Sequence, residues 1–282
     1  MFDHPKTDQF TQGTIFSCGY AEGYEGVAIY GLVITARCDA AQDKAPIYSF
    51  VPVVALKDWI MNDGAQIILE RAILDQQNTR RNILLGIDLS TSLLKTKTPD
   101  EIVAGHLLPR VASDKRFEPK LNQFRICSAF IQEATEALAK RDQPRLLALI
   151  KQSPKHLDAI VKELAGNRLL GHYLLRSMPR VYDNHGGDHV ALLREIHHIP
   201  NSLAKRITGG LSKDDCTDTS KSELKCPCYT AEDDYCAPVA RLKSPWMEHL
   251  MQSLTLLFAR IGVEDIDALS VRKSLQPIGL DQ

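Results

Sequence analysis

The 282-residue chain lacks every short motif that announces a well-known chemistry. No G-x-x-x-x-G-K-[ST] loop is present to cradle a nucleotide phosphate, and no G-x-G-x-x-G opens a dinucleotide fold. The H-E-x-x-H helix of zinc hydrolases and the G-x-S-x-G turn of serine hydrolases are also missing. The adjacent carboxylates Asp100-Glu101 and Asp214-Asp215 read as helix-start or solvated charge rather than as an acid–base pair. Long apolar runs are absent too. Lys57-Asp58 and Glu70-Arg71 interrupt the longest candidates, well short of the roughly 20 residues that span a bilayer. Met1-Phe-Asp-His-Pro-Lys has no basic stretch leading into an apolar one, so a cytoplasmic protein with no membrane association is expected. Aromatic residues are scarce at 6%. No Arg/Lys-rich run interleaves with them, which argues against a stacking platform for single-stranded nucleic acid. No internal repeat or low-complexity tract occurs.

What is present is unevenly distributed. Hydrophobic content of 44% and charged content of 24% suit a globular protein with a sizeable core. The net charge of −1 conceals a basic middle: residues 66–182 carry 19 basic and 12 acidic side chains, a net of +7, between ends of −4 each. Such a middle can meet an anionic surface, including nucleic acid, or complement the chain's own acidic ends. The second is the simpler reading, because the cations are spread along helical patterns.

Four of the seven cysteines, Cys216, Cys226, Cys228 and Cys236, fall in one polar, acidic stretch. That stretch cannot bury enough apolar surface to order itself. A metal bound by four thiolates would supply the missing order, and zinc in a structural role is the expected cofactor. An odd cysteine count without a leader favours reduced thiols over disulfides. The spacing Cys-x9-Cys-x-Cys-x7-Cys is not a paired C-x2-C knuckle, and a disordered acidic insertion is the competing reading. Lys225 would offset part of the thiolate charge. A second polar knot holds His185 and His189 with Asp183 and Asp188; Gly186-Gly187 argues against a helix there, so a solvated turn is the default and a loop metal site the alternative. Arg37-Cys38-Asp39 also looks functional, since Arg37 could lower the thiol pKa. No histidine near in sequence offers a base, and a buried Cys38 with Asp39 capping a turn is preferred. Cys127 lies on an apolar helical face and reads as core.

The expected fold is α+β. Residues 1–64 read as a small β-barrel or bent sheet: Gly13–Ser17, Val27–Thr35 and Ile47–Leu56 are β-branched and aromatic, with glycine-rich turns between them. Pro52 predicts an edge or a bulge in the third run. Residues 65–170 form a helical region. Its clearest pattern is Leu121, Phe124, Cys127, Ile131, Ala134 and Leu138, and Pro144 and Pro154 open two further helices. Residues 171–282 hold a β-hairpin, the cysteine loop and C-terminal helices, the last of them capped by Ser244.

Three segments in this order resemble a loose group of uncharacterised bacterial small-barrel proteins. They are Gly31–Lys44 with Val51-Pro-Val-Val, then Tyr173-Leu-Leu-Arg with Val190–Pro200, then Arg241–Leu250 through Phe258-Ala-Arg-Ile-Gly-Val. In that group a strand ends in a Ser-x-Cys-Asp motif followed by a lysine, and the chain closes on a Ser-Pro-Tyr/Trp helix. Ala36 stands here where the pattern has serine. The resemblance implies an accessory component of mobile-element or phage-conflict gene clusters and no established chemistry. The leading expectation is therefore a non-catalytic adaptor that recognises a co-encoded protein or a nucleic acid. The alternative is a small-barrel nuclease or hydrolase using Arg37, Cys38, Asp39 and Lys44, with cations stabilising developing phosphate charge.

Overall fold

Strands from early and late in the chain, Phe2–Asp3 and Pro238–Leu242, pair in one antiparallel sheet. The computed structural model describes residues 1–5, 9–41, 45–179, 186–219, 225–231 and 233–259. In chain order the elements are β1 (Phe2–Asp3), β2 (Thr14–Phe16), β3 (Ile29–Val33), α1 (Arg37–Ala41), β4 (Ile47–Ala55) and α2 (Leu56–Trp59). A π turn, Ile60–Gly64, leads into α3 (Ala65–Leu85). Then follow α4 (Leu93–Thr96), α5 (Pro99–Ile102), α6 (Leu108–Ser113), α7 (Glu118–Lys140), α8 (Gln143–Lys151) and α9 (Pro154–Ala165). The chain returns to β structure in β5 (His172–Met178), β6 (Gly187–Leu192) and β7 (His197–Pro200). It closes with α10 (Asn201–Thr208), β8 (Leu211–Ser212), β9 (Tyr235–Cys236), β10 (Pro238–Leu242) and α11 (Trp246–Phe258).

The main sheet runs β1-β10-β2-β3-β4-β6-β5, with β7 also on β4, and curls into a nearly closed barrel. The α+β class is thus as expected. The strand alternation explains the layering. In β5 and β6, Tyr173, Leu175 and Ala191 face inward, where Ile15, Leu32, Val51 and Val53 pack under Met247, Leu250 and Leu254 of α11. Val190 and Leu192 face outward onto a helical layer with Ile68, Leu69, Ala134, Leu149 and Ile160. At one end of the barrel Phe16, Phe50, Tyr48 and Ile199 pack with Leu203 and Ile207 of α10 and with Cys18, Cys226 and Cys236.

Pro52 sits where its chemistry demands. β4 is central rather than an edge, pairing β3 along Phe50–Val54. On its other side Val53 faces Ala191 while Phe50 faces His197. Three steps along β4 are matched by six along the partner, so the partner bulges and the ladder is interrupted at Val51-Pro52, where a missing N–H costs least.

The helical layer begins earlier than the sequence suggests, at Leu56 rather than Ala65. Ser244 does not cap the last helix: Pro245 occupies the N-cap position and makes no side-chain cap bond. Arg71 on α3 grips Glu163 on α9 through two hydrogen bonds, 2.7 and 2.9 Å. The Arg71 guanidinium holds the Glu163 carboxyl below its ordinary pKa. A depressed carboxylate contributes stability above its unfolded pKa and loses it as pH falls through the folded one. Both side chains are about a third exposed (39% and 33%), so water screens the pair. Glu163→Gln is therefore expected to cost only about 0.5 kcal/mol at neutral pH. In urea melts that difference should vanish below the folded-state pKa.

Candidate metal centre

Of the four loop thiols that sequence reasoning placed around a metal, Cys226 and Cys236 lie in one buried cluster with Cys18, and Cys216 packs against it. Cys18, just after β2, has a left-handed backbone (φ 57°) and is buried. Its carbonyl accepts the Cys228 N–H at 2.8 Å and the Cys226 thiol at 3.6 Å. Its own thiol donates to the Tyr235 carbonyl at 3.6 Å. The Cys236 thiol donates to the Ser17 carbonyl at 3.0 Å and lies within hydrogen-bonding reach of the Cys18 thiol. Ser17 N–H bonds the Ala237 carbonyl at 3.0 Å, and Ala237 N–H returns to Ser17 Oγ at 3.1 Å. The end of β2 is thus laced to the cysteine segment by backbone bonds.

Cys216 joins from the other side. β8 pairs with β9 through Leu211↔Cys236, and the short helical turn after β8 carries Cys216. Tyr229 donates to the Leu211 carbonyl at 2.9 Å and lies 3.7 Å from Cys216 Sγ. Asp233 secures the loop by accepting from Thr230 N–H and Oγ1–H at 2.8 and 2.7 Å. Cys228, by contrast, is exposed. Lys225 does not serve the thiols either: its ammonium bonds Glu22 at 3.0 Å and Tyr20 OH at 3.2 Å, lying 4.8 Å from the Tyr20 ring centre.

The electrostatics match this geometry. The hydrogen bond with Cys18, then burial, then the thiols Cys18, Cys226 and Cys216 push the Cys236 thiol far up. Burial, followed by Cys18, Cys228 and Cys216, does the same to Cys226. The Cys18, Cys226 and Cys236 thiols each donate a hydrogen bond to a backbone carbonyl, of Tyr235, Cys18 and Ser17 respectively. Accordingly, as the side chains stand, no group of three or more His, Cys, Asp and Glu among the described residues is drawn around one point tightly enough to hold an ion. Four thiols are nevertheless a donor set that would suit zinc or another thiophilic ion, which would bind them as thiolates.

The other sequence candidates do not converge. Cys38 is exposed, not buried, because the strand stops at Val33 and the chain turns into the short helix α1. Cys38 Sγ contacts Asp39 Oδ1 at 3.6 Å; Lys44 lies outside the described residues. His189 lies in β6, buried, paired with Leu175 and Ala55, with Nδ1 hydrogen-bonded to the Gly187 carbonyl at 2.8 Å. Asp188 accepts the Ser177 N–H at 2.9 Å, while Asp183 and His185 lie outside the described residues. Cys127 is core, as expected.

Two further sites escaped sequence reasoning. Asp63, on the π turn, accepts from Tyr24 OH at 3.2 Å and lies 3.6 Å from His172 Nε2. His172 Nδ1 is hydrogen-bonded to the Leu170 carbonyl at 3.2 Å. Both imidazole nitrogens therefore face partners, and the trio fastens the barrel to the helical layer beside a polar cavity of about 100 Å³. A larger cavity, about 860 Å³, opens between α2, α9 and strands β5 and β6. Its walls include Leu56, Trp59, Ile60, Leu157, Val161 and Leu174, and its charged residues are Lys57, Arg176 and Asp188. Neither cavity had a signal in the sequence, since each is assembled from segments far apart in the chain. In comparisons with known proteins the chain matches no family model, no curated protein and no solved structure.

Proposed function

We propose that the chain is a non-catalytic cytoplasmic adaptor, of the accessory type found in bacterial conflict systems, with zinc as a structural staple in its thiol cluster. The observation that carries this reading is the character of the 860 Å³ cavity. It has apolar walls, two cations, Lys57 and Arg176, and one carboxylate, Asp188, and among the described residues its lining holds no Ser, Thr, Cys or His. Cys226 and Cys236 lie elsewhere, buried in the thiol cluster, and Cys38 is exposed beside Asp39. An apolar cavity with a few charged groups at its edge has the make-up of a binding site. The partner it suits is a protein segment that inserts an apolar side chain and flanks it with acidic residues, drawn also by the basic middle of the chain.

Affinity purification from source cells tests this. The wild-type chain should retain one protein partner and should not cleave single- or double-stranded DNA or RNA. Val161→Glu, at a half-exposed wall of the cavity, and the pair Lys57→Glu/Arg176→Glu should release the partner without lowering the melting temperature. Robust nucleic-acid turnover that disappears in Cys38→Ala/Asp39→Ala would instead establish the small-barrel nuclease.

A further inference from the structure

From the lacing of β2 to the cysteine segment we infer that the metal ligands are Cys18, Cys216, Cys226 and Cys236, with Cys228 left free. The inference rests on the zinc reading above and changes what the metal does. With Cys228 as fourth ligand the ion would close a loop upon itself. With Cys18 it joins the first hairpin of the barrel to a segment from the other end of the chain.

Three observations carry it. Cys18 is buried, and its flanking groups are committed to the segment: Ser17 N–H and Oγ to Ala237 and Tyr235, and the Cys18 carbonyl to Cys228 N–H. Cys18, Cys226 and Cys236 share one buried cluster, against which Cys216 and Tyr229 pack. Cys228 is exposed where Cys18, Cys226 and Cys236 are buried; its backbone N–H bonds the Cys18 carbonyl at 2.8 Å and so positions the Cys226 turn. Turning three thiols from carbonyls toward a common centre completes a closed four-sulfur shell of the structural kind. The left-handed backbone of Cys18 (φ 57°) belongs to the same picture. A non-glycine residue held there is locally strained, and such conformations persist where the surroundings impose them.

Zinc content of the full chain, purified without added metal and again after zinc reconstitution, is measured beside single Cys→Ser variants. The wild type and Cys228→Ser should each hold about one equivalent, as a closed four-thiolate site requires. Cys18→Ser should lose zinc to a competing chelator by more than the roughly 10- to 100-fold that loss of an outer-shell partner costs. Alkylation of the zinc-loaded wild type removes dependence on whether Cys18→Ser folds. Iodoacetamide should label Cys38 and Cys228 at once, and chelation should not change the rate at Cys228. If Cys228 is shielded until chelator is added, or if Cys228→Ser loses zinc while Cys18→Ser keeps it, the ligand assignment fails and the zinc reading survives. If the reconstituted wild type binds none, both fall.

Discussion

Gly31→Ala is expected to lower stability by about 3 kcal/mol, at the upper end of what overpacking costs. The reason lies in cross-strand pairing. Gly31 faces Phe16 directly across β2 and β3, and the Phe16 ring lies over it. A Cβ there would stand 2.3 and 2.4 Å from Phe16 ring carbons and 2.9 Å from the Phe50 ring. Neither ring can step aside. Both are fully buried, Phe16 and Phe50 meet edge to face at 5.2 Å, and Phe10 closes on Phe16 at 5.3 Å. The rings also form the floor on which Cys18 and Cys236 sit, so the barrel end that carries the thiols would be disturbed. At roughly 2–4 °C per kcal/mol for chains of this size, thermal melting should shift by about 10 °C. Gly105→Ala is the internal control. Nothing lies within 4 Å of its added Cβ and the site is helical, so helix propensity should make that change neutral or stabilising by about 0.5–1 kcal/mol. Melting curves that shift equally for the two variants would show that the aromatic floor is loose.

That floor could be read in part from the chain. The β-branched and aromatic runs mark β2, β3 and β4 because a strand buried on both faces needs apolar residues at successive positions. The 3.6-residue spacing of Leu121, Phe124 and Cys127 marks α7, whose inner face carries those residues. The start of the helical layer was hidden because the apolar run crosses the strand–helix boundary: Val53-Val54-Ala55-Leu56 is apolar throughout, so its periodicity changes nowhere visible. β10 was hidden for the opposite reason. Pro238-Val-Ala-Arg-Leu is too short and mixed to stand out, yet its pairing with β2 is what brings Cys236 to Cys18. The loop cysteines are conspicuous because they cluster in sequence. Cys18 stands alone in sequence, and only the meeting of two short strands from opposite ends of the chain makes it a neighbour.

The barrel interior yields the second large effect, and it bears on function as much as on stability. Leu250→Ala is expected to cost about 2–5 kcal/mol, the range for removing a fully buried leucine. Leu250 is wholly buried between Met247 and Leu254 on the face of α11 that plugs the barrel. Tyr173 OH is hydrogen-bonded to His249 Nδ1 at 2.9 Å and fixes that helix in rotation. Within a few residues on the same helix Leu256 is 60% exposed, and Leu256→Ala should stay within about 0.5 kcal/mol. Urea unfolding of the pair measures the contrast. A large cost at Leu250 means the lumen is filled by side chains, leaving no room for a ligand inside the barrel. The proposed partner site would then lie outside it, as the cavity between α2, α9 and strands β5 and β6 does. A cost at Leu250 no greater than that at Leu256 would mean that α11 sits loosely in the barrel mouth. The lumen itself would then compete with the outer cavity as the place where a ligand is held.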